Sequence, residues 1–144
     1  MFVLFTESLS ITRMHICHTS MKKIDTPDVH TDSAPYSNCI VHDDIIYIAG
    51  QDPDNDDGVL VSDGIKEQTI QTLENIERIL KNANASLSDI VSVDVYLTDM
   101  NDFDEFNEAY AKVLPNPKPA RTTIAVDALA TEARIEISAT AVKK

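Results

Sequence analysis

The sequence predicts an α+β domain in which two amphipathic helices cover one face of a single sheet. Two stretches carry apolar residues at helical spacing, and several short runs alternate or cluster as strands do. The helices are interleaved with the strands, so each crossover tends to return the chain to the same sheet. At 144 residues the chain suits one domain whose core needs no disulfide or metal staple.

Residues 1–20 open with a short apolar stretch that has no basic segment before it and is interrupted by Glu7. That is a poor secretory signal. The expectation is a disordered or extended leader over 1–20 and one domain over 21–144, with Met14 and Met21 as alternative starts. Asp25 to Pro35 is polar and carries two prolines, an irregular lead-in. Cys39 to His42 and Ile45 to Ala49 form a hairpin around Asp43-Asp44, with Gly50-Gln51 ending its second strand. Asp52 to Gly58 consists of turn formers, and Val59 to Val61 is a short strand or extended link.

The first helix starts at Ile65 with Asp63 as its expected N-cap. Its apolar stripe is Ile65, Thr69, Leu73, Ile76 and Leu80, widened by Ile70 and Ile79. Glu74 with Arg78 and Glu77 with Lys81 are favourable i,i+4 pairs on the polar side. Asn82 and Asn84 mark the end, since Asn tolerates the left-handed position after a helix. Ile90 to Thr98 alternates with period two, placing Val91, Val93, Val95 and Leu97 on one face. Phe103, Phe106, Tyr110 and Val113 give the second helix, stopped by Pro115, Pro117 and Pro119. Thr122 to Val126 and Ile135 to Val142 are the last strands. The expected order is β-β-(β)-α-β-α-β-β.

The charge excludes one class of partner. Lys+Arg number 12 against Asp+Glu 24, a net −12, which repels phosphate backbones and anionic membranes. The expectation is no nucleic acid and no membrane, and no run reaches the 18 or more apolar residues of a span. Cys17 and Cys39 make no disulfide framework or metal spacing, and read as thiols in a reducing cytoplasm. His15, Cys17 and His18 cluster in the leader without a partner carboxylate. DPDNDDG (52–58) resembles part of a calcium loop but lacks the twelfth-position Glu. No metal site is expected.

The last two strands point to a second, polar sheet face. Glu136, Ser138 and Thr140 oppose Ile135, Ile137 and Ala139, while Arg121 and Thr123 oppose Thr122 and Ile124. Reading Arg121, Thr123, Glu136 and Ser138 as one face gives a solvated surface or a polar subunit interface holding a pocket. Arg121 is the leading site candidate: it is one of 4 arginines, at a loop-to-strand junction, and a guanidinium grips a carboxylate bidentately. It serves equally as a surface cation among acids. Tyr36, after Ala34-Pro35, is a candidate phenol donor or a packing tyrosine. With 3 glycines the chain has no phosphate-cradling loop, and no nucleophile-elbow, Walker or zinc-protease motif.

Taken together, Ala34-Pro35-Tyr36, Ala49-Gly50-Gln51, Val95 to Met100, Phe106-Asn107 with Tyr110, and Pro119-Ala120-Arg121 leading to Ile135-Glu136-Ile137 resemble the Rid family of reactive-intermediate deaminases, also called YjgF-like. The resemblance runs from about Ala34 to Val142. It implies a chorismate-mutase-like α+β fold, with a mixed six-stranded sheet, two helices on one face, and a homotrimer built on a central barrel with inter-subunit clefts. It implies hydrolysis of reactive 2-imino or enamine acids, such as those released by pyridoxal-phosphate enzymes, to 2-keto acids and ammonia, without a cofactor. Arg121 then holds the substrate carboxylate, Tyr36 and Asn107 shape the pocket, and the Gly50 backbone faces the ligand. Thr123 stands where a cysteine or small residue is usual, and Ala49 where a serine or threonine is common.

One departure divides the readings. The resemblance expects a catalytic glutamate two residues beyond Glu136, and Ser138 stands there. A hydroxyl is a poor general base, and such help is typically about 10²–10⁴-fold. The favoured expectation is a deaminase with water held near Ser138 and Thr123. The alternative is a non-catalytic carboxylate-binding or regulatory trimer. A ribonuclease or translation inhibitor is the least favoured, given the charge.

Overall fold

A computed structural model describes residues 20–31 and 33–144. The expected leader, with His15, Cys17 and His18, lies outside the described residues except for Ser20. Six strands form one sheet: β1 (Lys22–Lys23), β2 (Cys39–His42), β3 (Ile45–Gln51), β4 (Ile90–Leu97), β5 (Ala120–Ala125) and β6 (Ile135–Val142), in the spatial order β1-β2-β3-β6-β4-β5. Only the β4–β5 pair is parallel, so the sheet is mixed. Helices α1 (Ile65–Asn82) and α2 (Phe103–Val113) each connect strands running the same way: β3 and β4 are both antiparallel to the β6 between them, and β4 pairs directly with parallel β5.

The sixth strand is not the one anticipated. Val59 to Val61 contributes a single bridge, Asp54 to Leu60, and the sheet is completed by Lys22–Lys23 on the edge of β2. The turn-rich loop before α1 closes on itself, with Asn55 Oδ1 accepting from the Asp57 and Val59 amides at 3.0 and 3.1 Å. Gly58 adopts φ +73° there. The loop is pinned to α1 by the Arg78–Asp56 ion pair and by Asn75, which donates to the Asp52 and Asp54 carbonyls. Arg78 therefore pairs outside the helix and not with Glu74, whereas Glu77–Lys81 forms as expected.

Both helices bury the face that their spacing predicts. On α1, Ile65, Thr69, Leu73, Ile76, Ile79 and Leu80 are buried, but Ile70 is left exposed. Asp63 does not cap this helix. Gly64 flanks its start without a side-chain cap, and the Gly64 amide donates to Ser62 Oγ instead. The far end matches: Asn84 has φ +57°, and the Ala85 amide reaches back to the Leu80 carbonyl at 2.8 Å. Phe106 and Tyr110 of α2 are buried against Ile135, Ile137, Val93, Val95 and Leu97 in one core cluster.

Register decides which strand residues face the helices. Ile48 pairs with Ala139, Ala139 with Val93, and Ile137 with Val95, all buried. The other face carries Tyr47, Thr140, Ser138, Glu136, Asp94, Tyr96 and Ile124, and no element of the described chain covers it. Tyr47 is 46% and Ile124 45% exposed. Val91 departs from the expected alternation. The pairing shifts between Ile90 and Ser92, so Val91 is the extra residue of a bulge and faces out.

Candidate functional site

Arg121 projects toward the helices, and here the structure corrects the sequence reading. In the parallel β4–β5 ladder, Arg121 pairs with Val93 and Thr123 with Val95. Both therefore share the helix-side face, while Glu136 and Ser138 lie on the open face opposite Tyr96 and Asp94. Alternation fixes faces within one strand, whereas relating two strands needs their register.

On the helix side, Phe103, Phe106 and Tyr110 stack along α2 at i, i+3 and i+7. Their ring centroids lie 5.7, 5.0 and 4.8 Å from the Arg121 guanidinium carbon. The rings hold the cation through their π faces and occupy one side of it. Among the described residues no carboxylate comes within ion-pair distance of Arg121, although the chain carries twice as many acids as bases. Arg121, Asn107, Tyr110, Ala111, Lys118 and Pro119 line a cavity of about 450 Å³. Lys118 closes one wall by donating to the Ala111 carbonyl at 2.8 Å and to the Leu114 carbonyl. The Tyr110 hydroxyl and Thr123 Oγ1 are buried without a hydrogen-bond partner. Burial raises the Tyr110 pKa, against the lowering effect of the Arg121 charge. The cleft thus carries the Arg121 and Lys118 cations on its walls.

The second cluster forms at the end of β3. Between Ile48 and Gln51 the pairing with β6 shifts by a residue, so Ala49 and Gly50 bulge out of the ladder. Gln51 steadies the bulge by donating to the Ala49 and Gly50 carbonyls at 3.1 and 3.2 Å, and the Ala49 amide donates to the Asn38 carbonyl. The Glu136 carboxyl lies directly on Gly50: a Cβ there would stand 2.0 Å from Glu136 Oε1. A glycine ending a strand marks such a close approach. Ala34, Tyr36, Ala49, Gly50, Asp52, Ala130 and Glu136 line a cavity of about 330 Å³. A second cavity of about 240 Å³ shares Tyr36, Gly50 and Asp52 with it and continues toward His30 and Asn75. Burial raises the Glu136 pKa above the ordinary carboxylate value, the environment that suits a carboxyl for proton transfer.

The anticipated residues thus fall into two clefts on opposite faces of one sheet. Tyr36, Ala49 and Gly50 come together around Glu136. Asn107 and Arg121 line the other cleft, with Thr123 on the same face. Ser138 lines neither, and the carboxyl in the Gly50 cavity belongs to Glu136. The sequence carried two signals for this: the strand-end glycine, and an acid at the strand position that alternation turns to the open face. Cys39 is a buried free thiol, its pKa pushed up to about 11 by burial despite Lys143. Among the described residues no three His, Cys, Asp or Glu side chains converge for a metal, and no helix is long and apolar enough to cross a membrane.

Comparison with known proteins gives this arrangement a family. A family model described as Endoribonuclease L-PSP matches residues 28–143. A RutC family protein of Pyrococcus horikoshii is 47% identical over 111 residues, covering 76% of this chain and 88% of that protein. Protein MMF1, mitochondrial, of Saccharomyces cerevisiae is 35% identical, covering 88% and 87%. Among solved structures, YyfA of the conserved Rid protein family from Yersinia pestis superposes with TM-score 0.82 at 34% identity over 85% of this chain and 99% of that one. TdcF of E. coli with bound serine gives TM-score 0.80 at 29% identity, with coverage of 85% and 99%. The chain, with its mixed six-stranded sheet and two helices, therefore belongs to the Rid (YjgF-like) family.

Proposed function

We propose that three copies of this chain assemble so that the Arg121 cleft of one protomer meets the Glu136 cleft of its neighbour. In this reading the joint pocket hydrolyses 2-imino and enamine acids to 2-keto acids and ammonia. The observation that carries it is the separation of the two clefts. A cation without a carboxylate partner and a half-buried carboxyl stand on opposite faces of one sheet, each lining its own cavity. The uncovered face with Tyr47 and Ile124 supplies a surface for assembly.

The chemistry follows from the side chains. Arg121 grips the substrate carboxylate, its guanidinium held by the three rings, and Asn107 lies beside it. That anchoring sets C2 of the imine near Glu136 and converts part of the barrier into binding. Burial raises the Glu136 pKa, which favours its acid form as the donor that protonates the imine nitrogen. Water adds to C2, its proton passes to the carboxylate, and the carbinolamine collapses. The C=N bond is replaced by C=O, and nitrogen leaves as ammonia. The residues need no metal or organic cofactor for these steps, and Tyr36 borders the reacting centre. In this reading Glu136, and not Ser138 or Thr123, holds the attacking water.

The serine-bound relative supports a site for small amino-acid-like carboxylates. It also suits the alternative reading, a binding or regulatory trimer without hydrolysis. The net charge of −12 argues against the RNA substrate that the family model's description names. We further propose that the domain begins near residue 21 and works in the cytoplasm. The direct test is the decay of 2-iminopropanoate or 2-iminobutanoate with wild type and Arg121→Ala. Acceleration that Arg121→Ala abolishes supports the enzyme. Equal decay with and without wild-type protein contradicts it, and carboxylate binding without acceleration selects the binding trimer.

A further inference from the structure

Resting on that reading, we propose that Ala130, on the loop joining β5 to β6, sets the upper size of the substrate side chain. If the carboxylate is held by the neighbour's Arg121 and C2 lies at Glu136, the substituent on C2 must occupy the rest of the Glu136 cavity. Its remaining walls are Tyr36, Asp52, the Ala49–Gly50 bulge, Ala34 and Ala130. The bulge is held by the Gln51 side chain, which donates to the Ala49 and Gly50 carbonyls, and the two loop alanines are the walls that a substitution can enlarge.

The β5–β6 loop is anchored at both ends. At one end the Val126 amide donates to the Leu97 carbonyl at 2.8 Å. At the other, the Arg134 amide donates to Gln68 Oε1 at 2.8 Å, the Arg134 carbonyl accepts from the Thr98 amide at 3.0 Å, and the Arg134 guanidinium pairs with Asp102 at 2.8 Å. Ala133 is buried, and its amide donates to Thr131 Oγ1. Ala130 stands between these anchors, itself exposed. A larger side chain there enters the cavity without disturbing the core. In an apolar pocket each added or missing methylene discriminates by about 10–200-fold.

The test compares wild type, Ala130→Leu and the loop control Glu132→Ala. Affinities for pyruvate and 4-methyl-2-oxopentanoate are measured by calorimetry, and hydrolysis of the corresponding imines is followed in parallel. The expected result is that Ala130→Leu lowers affinity for the larger acid at least about tenfold more than for pyruvate, with Glu132→Ala unchanged. An unchanged ratio in Ala130→Leu overturns the proposal, as does a wild type that binds neither acid. Narrowed binding without any imine hydrolysis upholds the size filter and rejects the hydrolase reading alone.

Discussion

Replacing Gly50 by alanine isolates the position of one carboxyl group. The added Cβ would stand 2.0 Å from Glu136 Oε1 and 2.7 Å from Cδ. Ordinary contact begins near 3.4 Å, so the oxygen must retreat by about 1.4 Å. The obstructing atoms are the far end of a flexible side chain, so χ rotations absorb the clash and the backbone need not move. The φ of Gly50 lies outside the left-handed region, so alanine fits the backbone there. Removing a glycine then stabilises the fold by about 0.4–1 kcal/mol through the unfolded chain, offsetting the lost contact. The net change stays within about 1 kcal/mol, a shift of roughly 2–4 °C in Tm. A reacting group displaced by about 1 Å loses on the order of 10²-fold in rate. The assay pairs thermal melting with imine hydrolysis. A variant that melts like wild type and loses about 100-fold in kcat/KM fits the account. A folded variant with an unchanged rate refutes the role given to the Glu136–Gly50 contact.

Glu136→Gln should stabilise the protein at neutral pH. Burial raises the folded pKa of Glu136, so the folded state binds more protons and stability falls as pH rises from the unfolded value through the folded one. The gain in Tm from the substitution should therefore be present at pH 7 and shrink by about pH 4, near the unfolded pKa; denaturation at both pH values measures it. Ser138→Ala should leave kcat/KM within about threefold of wild type, against about 10²–10⁴-fold loss for Glu136→Gln. A large loss in Ser138→Ala, read by the same imine assay, would return Ser138 to the chemistry.

Much of the fold was legible because its signals are local. The α1 and α2 stripes, the Asn84 stop and the alternation of Ile135 to Val142 each depend on residues a few positions apart. What failed depends on pairing at a distance. Val59 to Val61 reads as a short strand or an extended link and turns out to be a link with one bridge, while the sheet edge goes to Lys22–Lys23, a dipeptide with no pattern of its own. The outward turn of Val91 and the opening at Ala49–Gly50 come from bulges, which alternation cannot show. The candidate residues were legible in the sequence, and their arrangement in space was not. Arg121, Tyr36 and Gly50 stand out in the sequence, but that Arg121 lies on the face opposite Ser138 follows from a β4–β5 register that neither strand encodes alone. The aromatic stripe of α2 reads as core, and it is core, yet it also holds the guanidinium.

Mixing two inactive variants tests the central claim, a pocket shared between protomers. Arg121→Ala and Glu136→Gln subunits are unfolded together and refolded at equal ratio. In a closed ring of head-to-tail interfaces, about one quarter of the pockets then receive both an intact Arg121 and an intact Glu136. The account predicts that the mixture recovers about a quarter of the wild-type imine hydrolysis, from parents that are each inactive. A mixture as inactive as its parents, with hetero-trimers verified by native mass spectrometry, would contradict it.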